Sequence, residues 1–531
     1  MEENKSFDVI VVGAGFAGLY ALHKLKSLGF SVLVLETADD LGGTWYWNRY
    51  PGARCDVNSL EYSYQFSEEL QQEWNWSEKY APQSEILAYA NHVAERFNLR
   101  PFIQFGTRVK SMKYDEESST WHVATRHDKN FNANFCIMAT GCLSKPNIPD
   151  IPGLDSFQGT QLHTGLWPKD RIEFSGKRVG IIGTGSSAIQ STPIIAETAE
   201  RLTVFQRTPS FSVPAHNGPM NKTFEATVKA DYPAFRAQNS QRYAALDNSP
   251  SSKSALTVSA AEREEIYEQR WQEGGLPFLA AFKDLNVDRD ANRTAVDFIH
   301  GKIESIVKDS KTALNLSPET LLGCKRLCVD TDYYATFNRE NVDLVSLEET
   351  PIKAVTPFGI STTEQDFELD MLILATGFDA MTGALLAIDI RGKDGQTLEQ
   401  KWQDGPSNYL GLTVHGFPNF FTITGPGSPS VLANMVVAIE QHVEWIADCL
   451  LYLKKNDIQS IEAALDAETN WVNQVNKIAD RTLLAHGCAS WYTGANIPGK
   501  PRIFMPYLGY PDYVSQCEDI ASSGYKGFQL R

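Results

Sequence analysis

The feature that most limits what this chain can fold into is one plan that occurs twice. An apolar strand, Asp8 to Val12, runs into Gly13-Ala14-Gly15-Phe16-Ala17-Gly18 and then a helical run with Leu19, Leu22 and Leu25 on one side. Far along the chain, Val179 to Ile182 runs into Gly183-Thr184-Gly185-Ser186-Ser187-Ala188, with Gln190 in the helix that follows. Each copy closes on a second apolar strand ending in Ala-Thr-Gly, at Phe135–Gly141 and at Met371–Gly377. A strand, a GxGxx(G/A) turn and a helix in register form a dinucleotide fingerprint. The glycines give a tight turn, close approach to a pyrophosphate and helix–strand contact, and the helix N-terminus offers free N–H groups. Two copies predict an α/β fold with two Rossmann-like dinucleotide-binding domains.

The copies differ where specificity is set. Glu36 ends the second strand of the first copy, 23 residues after Gly13, placed to accept hydrogen bonds from ribose hydroxyls. Arg207-Thr208 stands at the same place in the second copy, 24 residues after Gly183. An arginine there pairs with a 2′-phosphate that an acid would repel, so NADPH is the expected ligand.

The second copy is the longer, and composition locates its insertion. Residues 215–323 turn helical and charged, with a capping box at Ser259-Ala260-Ala261-Glu262, a stop at Gly274-Gly275, and a polar loop from Asp247 to Ser254 containing Pro250. A helical lobe mounted on the second domain is expected. The boundaries are then 1–142 with 380–531 for the first dinucleotide domain, 143–214 with 324–379 for the second, NADP-binding one, and 215–323 for the insertion. Pro193 falls inside the second fingerprint helix and should kink or shorten it.

Leu41 to Asp56 packs aromatics, glycines and charge more densely than an ordinary loop, which suits a segment folded over a flat cofactor. Near the C-terminus, a rigid turn at Gly425–Ser430 precedes a core-facing stripe of Leu432, Met435, Ile439, Val443, Ile446, Leu450 and Leu453.

The net charge of −17 disfavours a nucleic-acid partner. The polar N-terminus does not read as a signal peptide, and no apolar run is long enough for a membrane span, so a cytoplasmic protein is expected. The eight cysteines show no CxxC and no zinc pattern. They read as isolated buried thiols, with no metal expected.

Between the two copies, Phe157-x-Gly159-x-x-x-His163-x-x-x-Trp167-Pro168 has no meaning in propensity rules. It resembles the signature of the Baeyer–Villiger monooxygenases, and the similarity runs nearly end to end, closest in look to the phenylacetone and steroid branch. The resemblance implies FAD and NADPH as cofactors. It implies conversion of a small-molecule ketone and O2 to an ester or lactone through a C4a-peroxyflavin and a tetrahedral adduct. It places Gly43, Thr44, Trp45, Tyr46, Trp47, Asp56 and Tyr62 with Gly13, Gly15, Gly18 and Glu36 around FAD. Arg54, Lys325, Arg326 and Trp491 join Gly183, Thr184, Gly185, Ser186, Ser187, Gln190, Arg207 and Thr208 around NADP. Arg326 and Asp56 are the implied catalytic pair. Ser430, Val431, Leu432 and Met435 line the implied substrate pocket, and His163 and Trp167 are assigned to interdomain geometry. A monomer is favoured. Rival possibilities are a related flavin monooxygenase acting on sulfides or amines, a flavin disulfide reductase and a non-enzymatic NADP sensor. The reductase needs a redox cysteine beside Cys55, and the sensor has no use for the complete first fingerprint.

Overall fold

The computed structural model describes residues 5–248, 251–502, 507 and 509–531, so Pro250 of the polar loop lies outside the described residues. Two parallel sheets organise the chain. In the first, Lys5–Val12 lies between Val32–Leu35 and Asn130–Met138, with Ile103–Gln104 beyond Val32–Leu35. On its other edge the long strand Asn130–Met138 serves two further partners. Its first half pairs antiparallel with Thr120–Thr125, and Cys136–Met138 pair in parallel with Phe420–Thr422. The second sheet runs Val342–Ser346, Arg201–Gln206, Arg178–Ile182, Met371–Leu374, Thr160–His163, every neighbour parallel.

The duplication reaches beyond the glycine turns. An antiparallel excursion precedes each Ala-Thr-Gly strand: Val109–Asp115 with Thr120–Thr125 in the first copy, Ile352–Thr356 through Asp366–Glu368 in the second. The C-terminal halves of the central strands are apolar because both faces are covered there. Val9, Ile10, Val11, Val179 and Ile181 are fully buried.

Helix Phe16–Ser27 packs against the long helix Met435–Lys455. Asn434 caps the latter, and Ile439, Val443, Ile446, Leu450 and Leu453 of the expected stripe are buried. Leu432 lies just before the helix, in the turn Ser430–Leu432. The helix Ser186–Ala196 ends within a turn of Pro193, which has no N–H to donate. Among the described residues, no helix is long and apolar enough to cross a membrane.

The insertion departs from expectation. Helix Ala260–Glu273 starts on the Ser259 cap, whose hydroxyl accepts from the Glu262 N–H, and stops at Gly274, as the sequence suggests. It packs on the second domain through Tyr267 and Trp271. The earlier part, from Met220 through Val228, Tyr232 and Leu246, packs on the core of the first domain instead. The reason is Arg236. It is buried and donates to Gln71 Oε1, the Glu61 carbonyl and Ser63 Oγ at 3.0, 3.1 and 2.8 Å. An arginine with those partners fixes its helix to the first domain. The lobe therefore bridges both domains.

The cysteine expectation is also corrected. Cys324 and Cys488 form a disulfide, their Cα atoms 5.9 Å apart, while the other six cysteines are free and buried. Spacing could not show this pairing across 164 residues of sequence. The denatured, unreduced protein should show six reactive thiols and the reduced protein eight; eight before reduction would contradict the pairing.

Candidate active site

The first fingerprint meets the aromatic loop at two glycines. A methyl group on Gly15 would come within 3.3 Å of the Gly43 Cα, so each position needs the absence of a side chain. No side chain caps helix Phe16–Ser27, which leaves its first N–H groups for an anion. Glu36 is buried beside them. Its carboxylate accepts from the Ala14 N–H at 2.6 Å and the Ala38 N–H at 2.7 Å. Burial raises its pKa, opposed by these backbone donors. A carboxylate has lone pairs to spare after two such bonds, so a ribose could still be held.

After Gly43 comes a short helix, Thr44–Trp47. Trp45 is buried and donates from Nε1 to the Tyr62 hydroxyl at 3.2 Å, and the Tyr46 hydroxyl is bonded to Asp39. The chain then reaches the second domain. A side chain on Gly52 would strike the Gln190 carbonyl at 2.3 Å, and Tyr50 donates to Gln190 Oε1 at 2.8 Å. Gln190 Nε2 donates in turn to the Arg54 carbonyl at 3.2 Å. Arg54 itself is held by Glu78 and the Tyr80 carbonyl. The two dinucleotide turns are thus locked together through this one loop.

Asp56, at the end of that loop, receives Arg326 from the second domain. Nε donates to Oδ2 at 2.7 Å and Nη2 to Oδ1 at 2.8 Å, a bidentate pair, while Nη1 donates to the Val431 carbonyl at 3.0 Å. Burial opposes the guanidinium charge, but the attraction and hydrogen bonds of Asp56 outweigh it, so the Arg326 pKa lies above its ordinary value. Tyr492 is buried beside this guanidinium, and burial pushes its phenol up to about 12.

Beside this pair, Lys325 is half-buried and Arg207 exposed, and neither has an acidic partner among the described residues. Burial lowers the Lys325 pKa, and the charge of Arg207 lowers it further. Two facing cations without an anion are unfavourable alone and suit a phosphate. Thr184 Oγ1 donates to the Thr208 carbonyl at 2.6 Å, fixing the turn on the strand that carries Arg207. The space a side chain would take at Gly185 is open. Ser187 bonds Thr164, and Ser186 lies 3.5 Å from Cys328 Sγ. These residues fit a phosphorylated dinucleotide at the second turn, as those of the first turn fit a flavin dinucleotide.

Ser430 and Val431 are buried, and Leu432 and Met435 are half-buried in one small apolar cluster with Trp491 and Tyr492. Cys142, Leu143 and Met381 share that cluster and carry no sequence signal. They come from the two crossings between the domains, which only the fold brings together. Trp491 Nε1 has no partner among the described residues. The disulfide joins the residue before Lys325 to the segment that leads into Trp491.

His163 and Trp167 are buried, His163 edge-on to the Phe378 ring and Trp167 against Phe174 in the core of the second domain. His163 Nδ1 accepts from the Gly165 N–H at 2.9 Å, and burial lowers its pKa. The Trp167 N–H donates to the Trp47 carbonyl at 3.3 Å, so the signature segment grips the aromatic loop by backbone contact. Cys55 is a free buried thiol, pushed well up by burial, with no second cysteine bonded to it. That removes the redox pair a flavin disulfide reductase would need at this loop.

A family profile described as pyridine nucleotide-disulphide oxidoreductase matches residues 10–238. The chain is 41% identical over 524 residues to a Baeyer-Villiger monooxygenase of Pseudooceanicola batsensis, covering 98% of this chain and 95% of that one. It is 40% identical over 529 residues to a phenazine N-monooxygenase of Lysobacter antibioticus, covering 99% and 97%. Among solved structures, oxidized steroid monooxygenase bound to NADP superposes with a TM-score of 0.95 at 50% identity, over 99% of each chain. With relatives this similar over their whole lengths, the chain belongs to the Baeyer–Villiger monooxygenase family.

Proposed function

We propose that this protein is an FAD-containing, NADPH-dependent monooxygenase that takes a ketone, O2, NADPH and a proton to an ester or lactone, water and NADP+. The observation that carries this is the bidentate Asp56–Arg326 pair, set where both dinucleotide turns and the apolar cluster meet. Bound FAD supplies the oxygen activation and bound NADPH the two electrons.

The chain's own residues do the rest. Arg326 presents a fixed positive charge at the apolar cluster, where the ketone oxygen gathers negative charge as its carbon is attacked. A preorganised cation there costs no reorganisation during the reaction. Asp56 holds the guanidinium plane in one orientation. Lys325 and Arg207 take the 2′-phosphate, and loss of their mutual repulsion contributes to that affinity. Val431, Leu432, Met435 and Met381 exclude water from the reacting carbonyl. Trp491 closes over the coenzyme and offers it the indole N–H as a donor.

A second reading is N-oxygenation. It is favoured by the phenazine N-monooxygenase relative, since the same machinery then serves an aromatic amine in place of a ketone. Nothing in the apolar cluster selects a ketone over a ring nitrogen by hydrogen bonding, so substrate shape decides between them.

Three outcomes are expected. In a panel of aryl, cyclic, long-chain and steroidal ketones with NADPH, at least one ketone yields ester or lactone; N-oxide from phenazines with no ester from any ketone would favour the second reading. Arg207→Ala raises the KM for NADPH by about 10- to 150-fold, the cost of a charge-assisted phosphate contact, and leaves that for NADH nearly unchanged. Wild-type enzyme using both coenzymes equally would remove Arg207 from that role. Leu432→Ala broadens the set of ketones accepted while flavin reduction stays constant; an unchanged product profile at normal stability would make Leu432 plain core.

A further inference from the structure

The segment bearing Trp491 and Tyr492 is fastened at both ends. Its first end is joined by Cys488 to Cys324, two residues before Arg326. Its second end is held by an ion pair that the cofactor and substrate sites do not use. Lys500 donates from Nζ to Asp379 Oδ1 at 2.5 Å and to the Ala380 carbonyl at 2.7 Å, with only 9% of its side chain exposed. Asn496 Nδ2 adds a bond to the Phe378 carbonyl at 2.9 Å.

Asp379 stands at a junction. The chain leaves the first domain through 143–147 and returns through 377–381, and the two crossings lie side by side. The Asp379 N–H donates to the Lys145 carbonyl at 2.8 Å, the Asn147 N–H to the Gly377 carbonyl at 2.9 Å, and the Met381 N–H to the Cys142 carbonyl at 2.7 Å. The second Asp379 oxygen accepts from Lys145 Nζ at 3.0 Å. One carboxylate therefore holds the outgoing crossing, the returning crossing and the end of the Trp491 segment. Its position is fixed from behind: a side chain at Gly383 would lie 2.5 Å from the Asp379 Cγ. Burial opposes the charge of Asp379, but Lys500 and Lys145 hold its pKa below the ordinary value.

Among the described residues, Asp379 is the one carboxylate that pairs with this buried lysine. Removing the carboxylate leaves its ammonium uncompensated, and the cheapest relief is for the segment to swing Lys500 into water. That movement takes Tyr492 from Arg326 and Trp491 from the apolar cluster.

We infer that Asp379 is a positioning residue: through Lys500 it keeps the Trp491–Tyr492 turn seated on Arg326, and through Lys145 it makes that seating depend on how the two domain crossings are set. Its effect on coupling rests on the monooxygenase function proposed above; its effect on the segment's position does not.

The test uses the full-length holoenzyme loaded with NADP+. Chymotrypsin should cleave at Trp491–Tyr492 about tenfold or more faster in Asp379→Asn and Lys500→Gln than in wild type or Lys500→Arg, because opening exposes the segment. In the same variants, flavin reduction at saturating NADPH should stay within about twofold of wild type. The share of NADPH lost to hydrogen peroxide should rise several-fold, and Lys500→Arg should restore coupling. Equal cleavage rates in all four proteins would overturn the inference, as would a uniform fall in flavin binding and reduction, which marks a merely structural residue. Faster cleavage in an enzyme that makes no ester from any ketone would leave the clamp standing and remove the proposed reaction instead.

Discussion

The Asp56–Arg326 pair is the contact on which the rest of the site depends. Its partners lie 270 residues apart in sequence and come from different dinucleotide domains. A half-buried pair of this kind gains little net stability, because desolvation offsets much of the attraction. What it fixes is geometry. Bidentate contact sets the guanidinium plane, and the third bond to the Val431 carbonyl sets its distance from the apolar cluster. Arginine has five N–H donors, so these three bonds leave others for a developing anion. Lysine offers a single charge on a flexible stem and could not hold all of these partners at once.

Everything around the pair brings its two halves together. Gly52 lets the aromatic loop touch the second fingerprint helix at Gln190, and the signature segment grips the same loop through Trp167 and Trp47. The insertion helps from outside, through Arg236 on the first domain and Tyr267 and Trp271 on the second. The domains are therefore joined by several small polar contacts together with the apolar packing of the insertion on each core. Such an interface can be reset between steps at modest cost, which suits a catalyst that must receive electrons and then oxygenate in one cavity.

Much of this was legible in the sequence. Glycine spacing between a strand and a helix has a local physical cause, so both Rossmann-like turns were readable. The contrast of Glu36 with Arg207 was readable for the same reason. The helix Ala260–Glu273 was visible from its cap and its glycine stop. What could not be read depends on chain segments that meet only after folding. Cys324 and Cys488 have no spacing rule to betray them. Asp379, Lys500 and Met381 carry no motif, and Arg236 looks like any solvated helix cation until its three acceptors from the first domain appear. The insertion was assigned to one domain because composition reveals that a segment is helical, and says nothing of which surface its buried face meets.

The central claim is that Arg326, oriented by Asp56, stabilises negative charge that exists only during oxygenation. The most direct measurement is rapid kinetics of Arg326→Ala in both half-reactions, with ester counted per NADPH consumed. The account predicts that the variant folds, binds FAD and NADPH and accepts electrons, while ester formation falls by about 10²–10³, the cost of losing one preorganised donor, and most NADPH goes to hydrogen peroxide. Near wild-type ester per NADPH from that variant would contradict it.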